Sequence, residues 1–172
     1  MTRDTTVPAL PGMEGGAASR VSDALAAAPV DALWGELERR AAASPMDGPV
    51  DSPRKALAAI GDLGRKRKEH FVALYLDACH RVVRRETVSV GTLTASLVRP
   101  REVFGPAMRD GYAAVIVAHN HPSGDTTPSR EDRETTRRLQ EAGRILGIPV
   151  LDHLVVGSRG YFSFRERGLL DA

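Results

Sequence analysis

Apolar residues fall into two kinds of run along this chain. FVALYL at 71–76 and AAVIVAH at 113–119 are nearly continuous, which predicts strands covered on both faces. Residues 82–90 are more amphipathic and rich in β-branched side chains, so they predict a neighbouring strand, with the turn at 78–80. Residues 150–156 and 161–164 predict the last two strands, joined by a hairpin turn at 157–160. Between them lie helical patterns. Residues 53–62 carry the stripe Ala56, Leu57 and Ile60, with Ser52 able to cap. Residues 100–109 begin at Pro100, contain Pro106 as a potential kink and end before Gly111. Residues 130–146 are strongly polar, with Leu139, Ala142, Ile145 and Leu146 as the expected apolar side and Gly147 and Pro149 as the stop. The sum is an α/β fold, a mixed sheet flanked by helices, over residues 49–172.

The front of the chain reads differently. Residues 1–16 are rich in Gly, Pro, Thr and Met without a period, which predicts a disordered tail. Residues 17–43 are Ala-rich and predict one or two short helices broken at Pro29, and SPMDGPVDSP at 44–53 reads as a linker. Two parts follow, 1–48 and 49–172. With 42% hydrophobic and 27% charged residues among 172, the composition fits a water-soluble chain. No run approaches the roughly 18 apolar residues of a membrane span, and the opening lacks the basic-then-apolar order of a signal peptide. The expectation is a cytoplasmic protein with no membrane partner. A single cysteine, Cys79, excludes a disulfide framework and any zinc site with several thiolates, so a metal here must be held mainly by His, Asp or Glu. Charge adds little: 24 basic against 22 acidic residues give +2. Residues 1–48 hold 4 basic and 7 acidic residues, net −3, which leaves 20 basic and 15 acidic, net +5, for the remainder. The dense cluster Arg65-Lys66-Arg67-Lys68 has no interleaved aromatics and reads as a solvated basic loop or helix end before it reads as a nucleic-acid patch.

The chemistry concentrates in HNHPSGDTTPSRED after the second apolar strand. His119 and His121, two apart in an extended segment, project to one side and can converge on one ion, while Asn120 points the other way. Asp132 follows in the first turn of the next helix if Ser129 is its N-cap. Two imidazoles and a carboxylate leave a fourth tetrahedral position open, the pattern of a catalytic zinc. Ser129 and Asp132 also form an S-x-x-D capping box, a purely structural alternative.

HNHPSGDTTPSREDRETTRRL, with IPVLDHLVVG after it, closely resembles the signature of the RadC family, whose core is a JAMM (JAB/MPN-type, cytidine-deaminase-like) metallopeptidase-like domain. The resemblance extends back through HFVALYLD, Gly91-Thr92-Leu93 and Arg99-Pro100-Arg101-Glu102-Val103, and covers roughly residues 50–170. The JAMM pattern is H-x-H, seven residues, Ser, two residues, Asp; His119, His121, Ser129 and Asp132 satisfy it without a gap. The resemblance implies that His119, His121 and Asp132 hold Zn²⁺, which lowers the pKa of water toward about 7. It implies that Ser129 donates a hydrogen bond to the developing oxyanion, and that a separate glutamate acts as general base. Glu69, ahead of FVALYLD, fits that place best; Glu86 and Glu102 compete, the latter in a helical first turn where an acid is favourable anyway.

These readings lead to a zinc-dependent metallopeptidase or isopeptidase acting on a protein or peptide substrate. The alternative is a DNA-associated module or metal-dependent nuclease without peptidase activity, motivated by the family's link with DNA repair and by Arg65–Lys68. Against transfer of DNA binding, the helical N-terminal module that RadC-type proteins commonly carry is replaced here by an acidic, Ala-rich segment. His153 belongs to the resembling stretch but has no assigned role beyond a hydrogen-bonded structural histidine. Cys79-His80 sits in a turn where a nucleophile and base would point apart. Asp125 is a turn residue or an outer partner of a zinc-bound histidine. The consecutive string HNH differs from an HNH nuclease, whose named residues are dispersed, and no PCxxC of a zinc deaminase is present.

Overall fold

The computed structural model describes residues 48–91, 98–158 and 160–170. The expectations for the tail and helices of residues 1–48 lie almost wholly outside them, as do Thr92 and Leu93. Among the described residues, helix α1 (Pro53–Ile60) leads through a short 3-10 turn (Asp62–Arg65) into strand β1 (His70–Leu76) and strand β2 (Val82–Val90). Helix α2 (Pro100–Asp110), strand β3 (Ala114–Asn120), helix α3 (Arg130–Leu146), strand β4 (Val150–Gly157) and strand β5 (Gly160–Ser163) follow. The sheet order is β2-β1-β3-β4-β5. β3 and β4 are parallel and every other neighbouring pair is antiparallel. A mixed sheet flanked by helices is therefore the observed fold class.

Strand alternation sorts the core into two layers. Even-numbered Val72, Leu74, Leu76, Ala114, Ile116, Ala118, Leu154 and Val156 face α1 and Leu63 of the 3-10 turn. Odd-numbered Phe71, Ala73, Tyr75, Val115 and Val117 face α2 and Leu139 of α3. Both faces are covered, which is why β1 and β3 read as continuous apolar runs. Each fully buried Leu or Ile in these layers contributes about 1.5–3 kcal/mol. β2 is an edge strand with alternating half-exposed positions, matching its amphipathic sequence.

Two local expectations change. Ser52 occupies the N-cap of α1 in an extended conformation, but its hydroxyl makes no cap bond; Pro53 at the first helical position lacks one of the N–H groups that a cap would serve. On α3 the buried face is Asp132, Thr135, Thr136, Leu139 and Gly143, whereas Ile145 is 77% exposed and Leu146 39%. The helix turns a largely polar face inward because its first turns close over a polar site.

Candidate metal centre

The site forms where β3 ends and α3 begins, at the carboxyl edge of the parallel β3–α3–β4 unit, the usual place for ligands in such units. His119 is the penultimate residue of β3 and lies on the odd-numbered face with Val117. His121 follows the strand, its amide bonded to the Val156 carbonyl at 2.9 Å. The Nε2 atoms of the two rings stand 3.0 Å apart. Asp132 reaches them from α3, with Oδ1 3.0 Å from His119 Nε2 and Oδ2 3.4 Å from His121 Nε2. Phe71 stacks on His119 with rings nearly parallel at 6.1 Å.

Glu69 arrives from the other side of the sequence. In the antiparallel pairing of β1 with β3, Phe71 lies opposite His119; continuing that register by two residues sets Glu69 across from His121 on the same face. Glu69, His119 and His121 each bring a potential ligand atom to within 4.8 Å of the others. The competing glutamates are engaged elsewhere. Glu86 pairs with Arg84 at 2.9 Å on the edge strand, and Glu102 accepts from the Arg99 amide at 3.3 Å at the start of α2.

Local geometry explains the placement of each group. The Ser129 hydroxyl accepts from the Asp132 amide at 3.0 Å, and the Asp132 carboxylate accepts from the Ser129 amide at 2.7 Å. This reciprocal capping box fixes the first turn of α3, so the structural alternative for S-x-x-D is present alongside the cluster. The Ser129 hydroxyl also donates to Asp132 Oδ2 at 2.7 Å. His121 Nδ1 lies 2.8 Å from the Asp125 carbonyl. A carbonyl only accepts, so Nδ1 carries the proton and Nε2 of the neutral ring is bare toward the cluster. Asp125 thus holds the His121 ring through its main chain, while its carboxylate accepts from the Thr127 amide at 2.9 Å as a turn residue does.

Asn120 does face away, and it does more than the sequence suggested. Fully buried, its Oδ1 accepts from the His70 amide at 2.8 Å, and its Nδ2 donates to the carbonyls of Lys66 at 3.0 Å and Lys68 at 3.1 Å. The side chain pins the loop that carries Glu69 to the end of β3. Arg65–Lys68 form the end of the 3-10 turn and a loop, with Arg67 and Lys68 exposed.

The electrostatics follow from this packing. Burial works to raise the Asp132 carboxyl, but the adjacent His119 and His121 imidazoles and the hydrogen bond from Ser129 outweigh it and hold it well below the ordinary carboxylate range. The hydrogen bond to Asp132 raises the His121 imidazole against burial, with further help from the Asp125 carbonyl and from the charges of Asp132 and Glu69. His153 is fully buried and moves well below the ordinary imidazole value, chiefly through burial and then the neighbouring His119. Two imidazole nitrogens among carboxylates form a donor set suited to zinc or a similar divalent ion.

Residues 50–169 match the RadC-like JAB domain. The chain belongs to that family, and its mixed sheet with flanking helices is the JAB/MPN-type core. It is 68% identical over 102 residues to the UPF0758 protein STH371 of Symbiobacterium thermophilum, covering 59% of this chain and 44% of the relative. A UPF0758 protein of Trichlorobacter lovleyi is 60% identical over 109 residues, covering 63% and 47%. One from Rubrobacter xylanophilus is 50% identical over 138 residues, covering 78% and 60%. The chain thus spans about half the length of these relatives. No described helix is long and apolar enough to cross a membrane.

The sequence named His119, His121 and Asp132 by spacing, and Ser129 and Glu69 by resemblance. It missed Asn120 as a clamp and left His153 without a role. The signal for Asn120 was its position between the two histidines, on the opposite face of the same strand end.

Proposed function

We propose that this chain is a zinc-dependent hydrolase of peptide or isopeptide bonds, with His119, His121 and Asp132 holding the metal. The observation that carries the reading is the convergence of two imidazole Nε2 atoms 3.0 Å apart with the carboxylates of Asp132 and Glu69 at one strand end. Zinc, when bound, supplies the Lewis acidity that makes water a nucleophile at neutral pH. Glu69, at the entry to β1 beside His121, is the general base that takes the proton of the attacking water and returns it to the leaving nitrogen. Ser129, an exposed residue at the N-cap of α3, would turn its hydroxyl proton from Asp132 to the oxyanion that develops on the attacked carbonyl. The support for this role is that the same hydroxyl bonds the Asp132 carboxylate at 2.7 Å.

Cleavage is tested by comparing protein termini and isopeptide linkages across the native proteome between cells with the wild type and cells with Glu69→Gln. Products specific to the wild type are expected, with zinc retained by both proteins. Identical profiles from two zinc-loaded proteins would remove Glu69 as general base, and a profile also unchanged in cells lacking the protein would remove the hydrolase reading.

A second reading, a DNA-associated module without hydrolysis, draws on Arg67 and Lys68, which are exposed in the segment that Asn120 holds beside the cluster. It requires salt-sensitive DNA binding that disappears when both become Ala, without any wild-type-specific cleavage.

A further inference from the structure

Behind the candidate ligands runs a buried chain of hydrogen bonds. Thr136, one turn beyond Asp132 on α3, places Oγ1 2.6 Å from the Asp132 carbonyl and 2.6 Å from His153 Nδ1. His153 Nε2 lies 2.9 Å from His119 Nδ1. We infer that Thr136 and His153 are positioning residues that set the tautomer of His119, so that its bare Nε2 faces the metal site. The inference rests on the metal reading proposed above.

The direction follows from which atoms can hold a proton. A hydroxyl has one proton, and the Asp132 carbonyl can only accept, so Thr136 donates to that carbonyl. Its lone pair then faces His153 Nδ1, which must carry hydrogen. The His153 ring is 0% exposed and lies between Phe71, edge-on at 5.6 Å, and Phe164, stacked at 5.0 Å. Its hydrogen-bond partners among the described residues are Thr136 and His119. Neither offers a carboxylate, and an imidazolium in such surroundings is unfavourable. The ring is therefore neutral with Nε2 bare, and that nitrogen accepts from His119 Nδ1–H.

His119 is left with one tautomer, its Nε2 lone pair aimed at the point where His121 Nε2 and Asp132 Oδ1 each stand 3.0 Å away. The chain closes on itself: the main-chain carbonyl of one proposed ligand, Asp132, fixes the proton of another, His119, through two intermediaries on α3 and β4. His121 achieves the same result with a single carbonyl, that of Asp125. Metal-bound histidines usually rely on a carboxylate, a carbonyl or water for this purpose; here a second, neutral histidine performs it. The buried Thr136 on an otherwise polar helix and the buried His153 in β4 gain one explanation.

The test combines two readouts on the full chain. Imidazole nitrogen shifts by NMR, at mildly alkaline pH and without metal, report the tautomers directly. The wild type is expected to carry hydrogen on Nδ1 of both His119 and His153. Zinc affinity by chelator competition is expected to fall about 10- to 100-fold in Thr136→Val, and Thr136→Ser, which restores the hydroxyl, is expected to recover most of it. Thr136→Val should also shift hydrogen toward Nε2 of His119. A folded Thr136→Val that binds zinc as tightly as the wild type, with an unchanged His119 tautomer, overturns the inference. So does a wild type with hydrogen on Nε2 of His119 or on both nitrogens of His153, which needs no variant to fold. If the wild type shows the expected tautomers and binds no zinc, the metal reading fails while the hydrogen-bond chain stands.

Discussion

Replacing Asn120 by Asp alters one group of a fully buried side chain and reverses two hydrogen bonds. The acceptor for the His70 amide at 2.8 Å remains, but the donor to the Lys66 and Lys68 carbonyls, at 3.0 and 3.1 Å, becomes an oxygen facing two oxygens. A charged Asp there is a buried carboxylate set against carbonyls; a protonated one can serve a single carbonyl. With about 1 kcal/mol lost per bond and a further cost for each acceptor left unpaired, the expected destabilisation is about 2–4 kcal/mol. Its pH dependence has a definite sign. The folded-state pKa of the new acid lies above its unfolded value of about 4, so its contribution to stability is present below that value and is lost as pH rises through the folded value. Urea unfolding of Asn120→Asp should therefore approach wild type in acid and fall away toward neutral pH. Glu69 lies between two residues that the amide holds, Lys68 and His70, and a displacement near 1 Å at such a group can cost about 10²-fold in rate. An Asn120→Asp protein that unfolds at the wild-type urea concentration at neutral pH would refute the clamp.

Asp152 accepts from Ser163 Oγ at 2.7 Å and from the amides of His153 at 2.7 Å and Arg165 at 3.1 Å, so Asp152→Ala is expected to cost about 3 kcal/mol or more in chemical unfolding. Burial raises the Asp152 carboxyl against the hydrogen bonds from Ser163 and the two amides. Its ionisation contribution is thus present at low pH and lost as pH rises through the folded value, and Asp152→Asn should close on the wild type with rising pH; a gap that widens contradicts the assignment. Zinc affinity, measured by chelator competition, should weaken as pH falls through the raised His121 value, because the metal must displace that proton; an affinity constant across the weakly acidic range contradicts this. A Cβ on Gly157 would lie 2.5 Å from the Gly124 carbonyl oxygen, so Gly157→Ala should push the loop that presents the Asp125 carbonyl and weaken zinc binding. Gly105→Ala, in α2 with nothing within 4 Å of the new Cβ, should leave zinc binding unchanged and stabilise the fold by about 0.5–1 kcal/mol.

The parts of the fold that could be read from sequence were those whose signal is local. FVALYL and AVIVAHN announce strands because both faces of each are covered, and the His119, His121, Ser129 and Asp132 spacing lies within one strand–loop–helix passage. The α3 face could not be read this way: its inward side is Asp132, Thr135, Thr136 and Gly143, polar or small groups that a hydrophobic stripe does not reveal, while the apolar Ile145 points to solvent. Glu69 became legible only through resemblance, since its position depends on the register of β1 with β3. Asn120 and His153 depend on partners 50 and 34 residues away, so their roles emerge only once the strands are paired.

Zinc stoichiometry tests the central claim most directly. Purified wild type, given zinc and freed of excess, should retain about one ion per chain by native mass spectrometry and elemental analysis, as a three-ligand site requires. His121→Ala and Asp132→Ala, confirmed as folded, should retain far less. A folded wild type that holds no more zinc than these two variants would contradict the account.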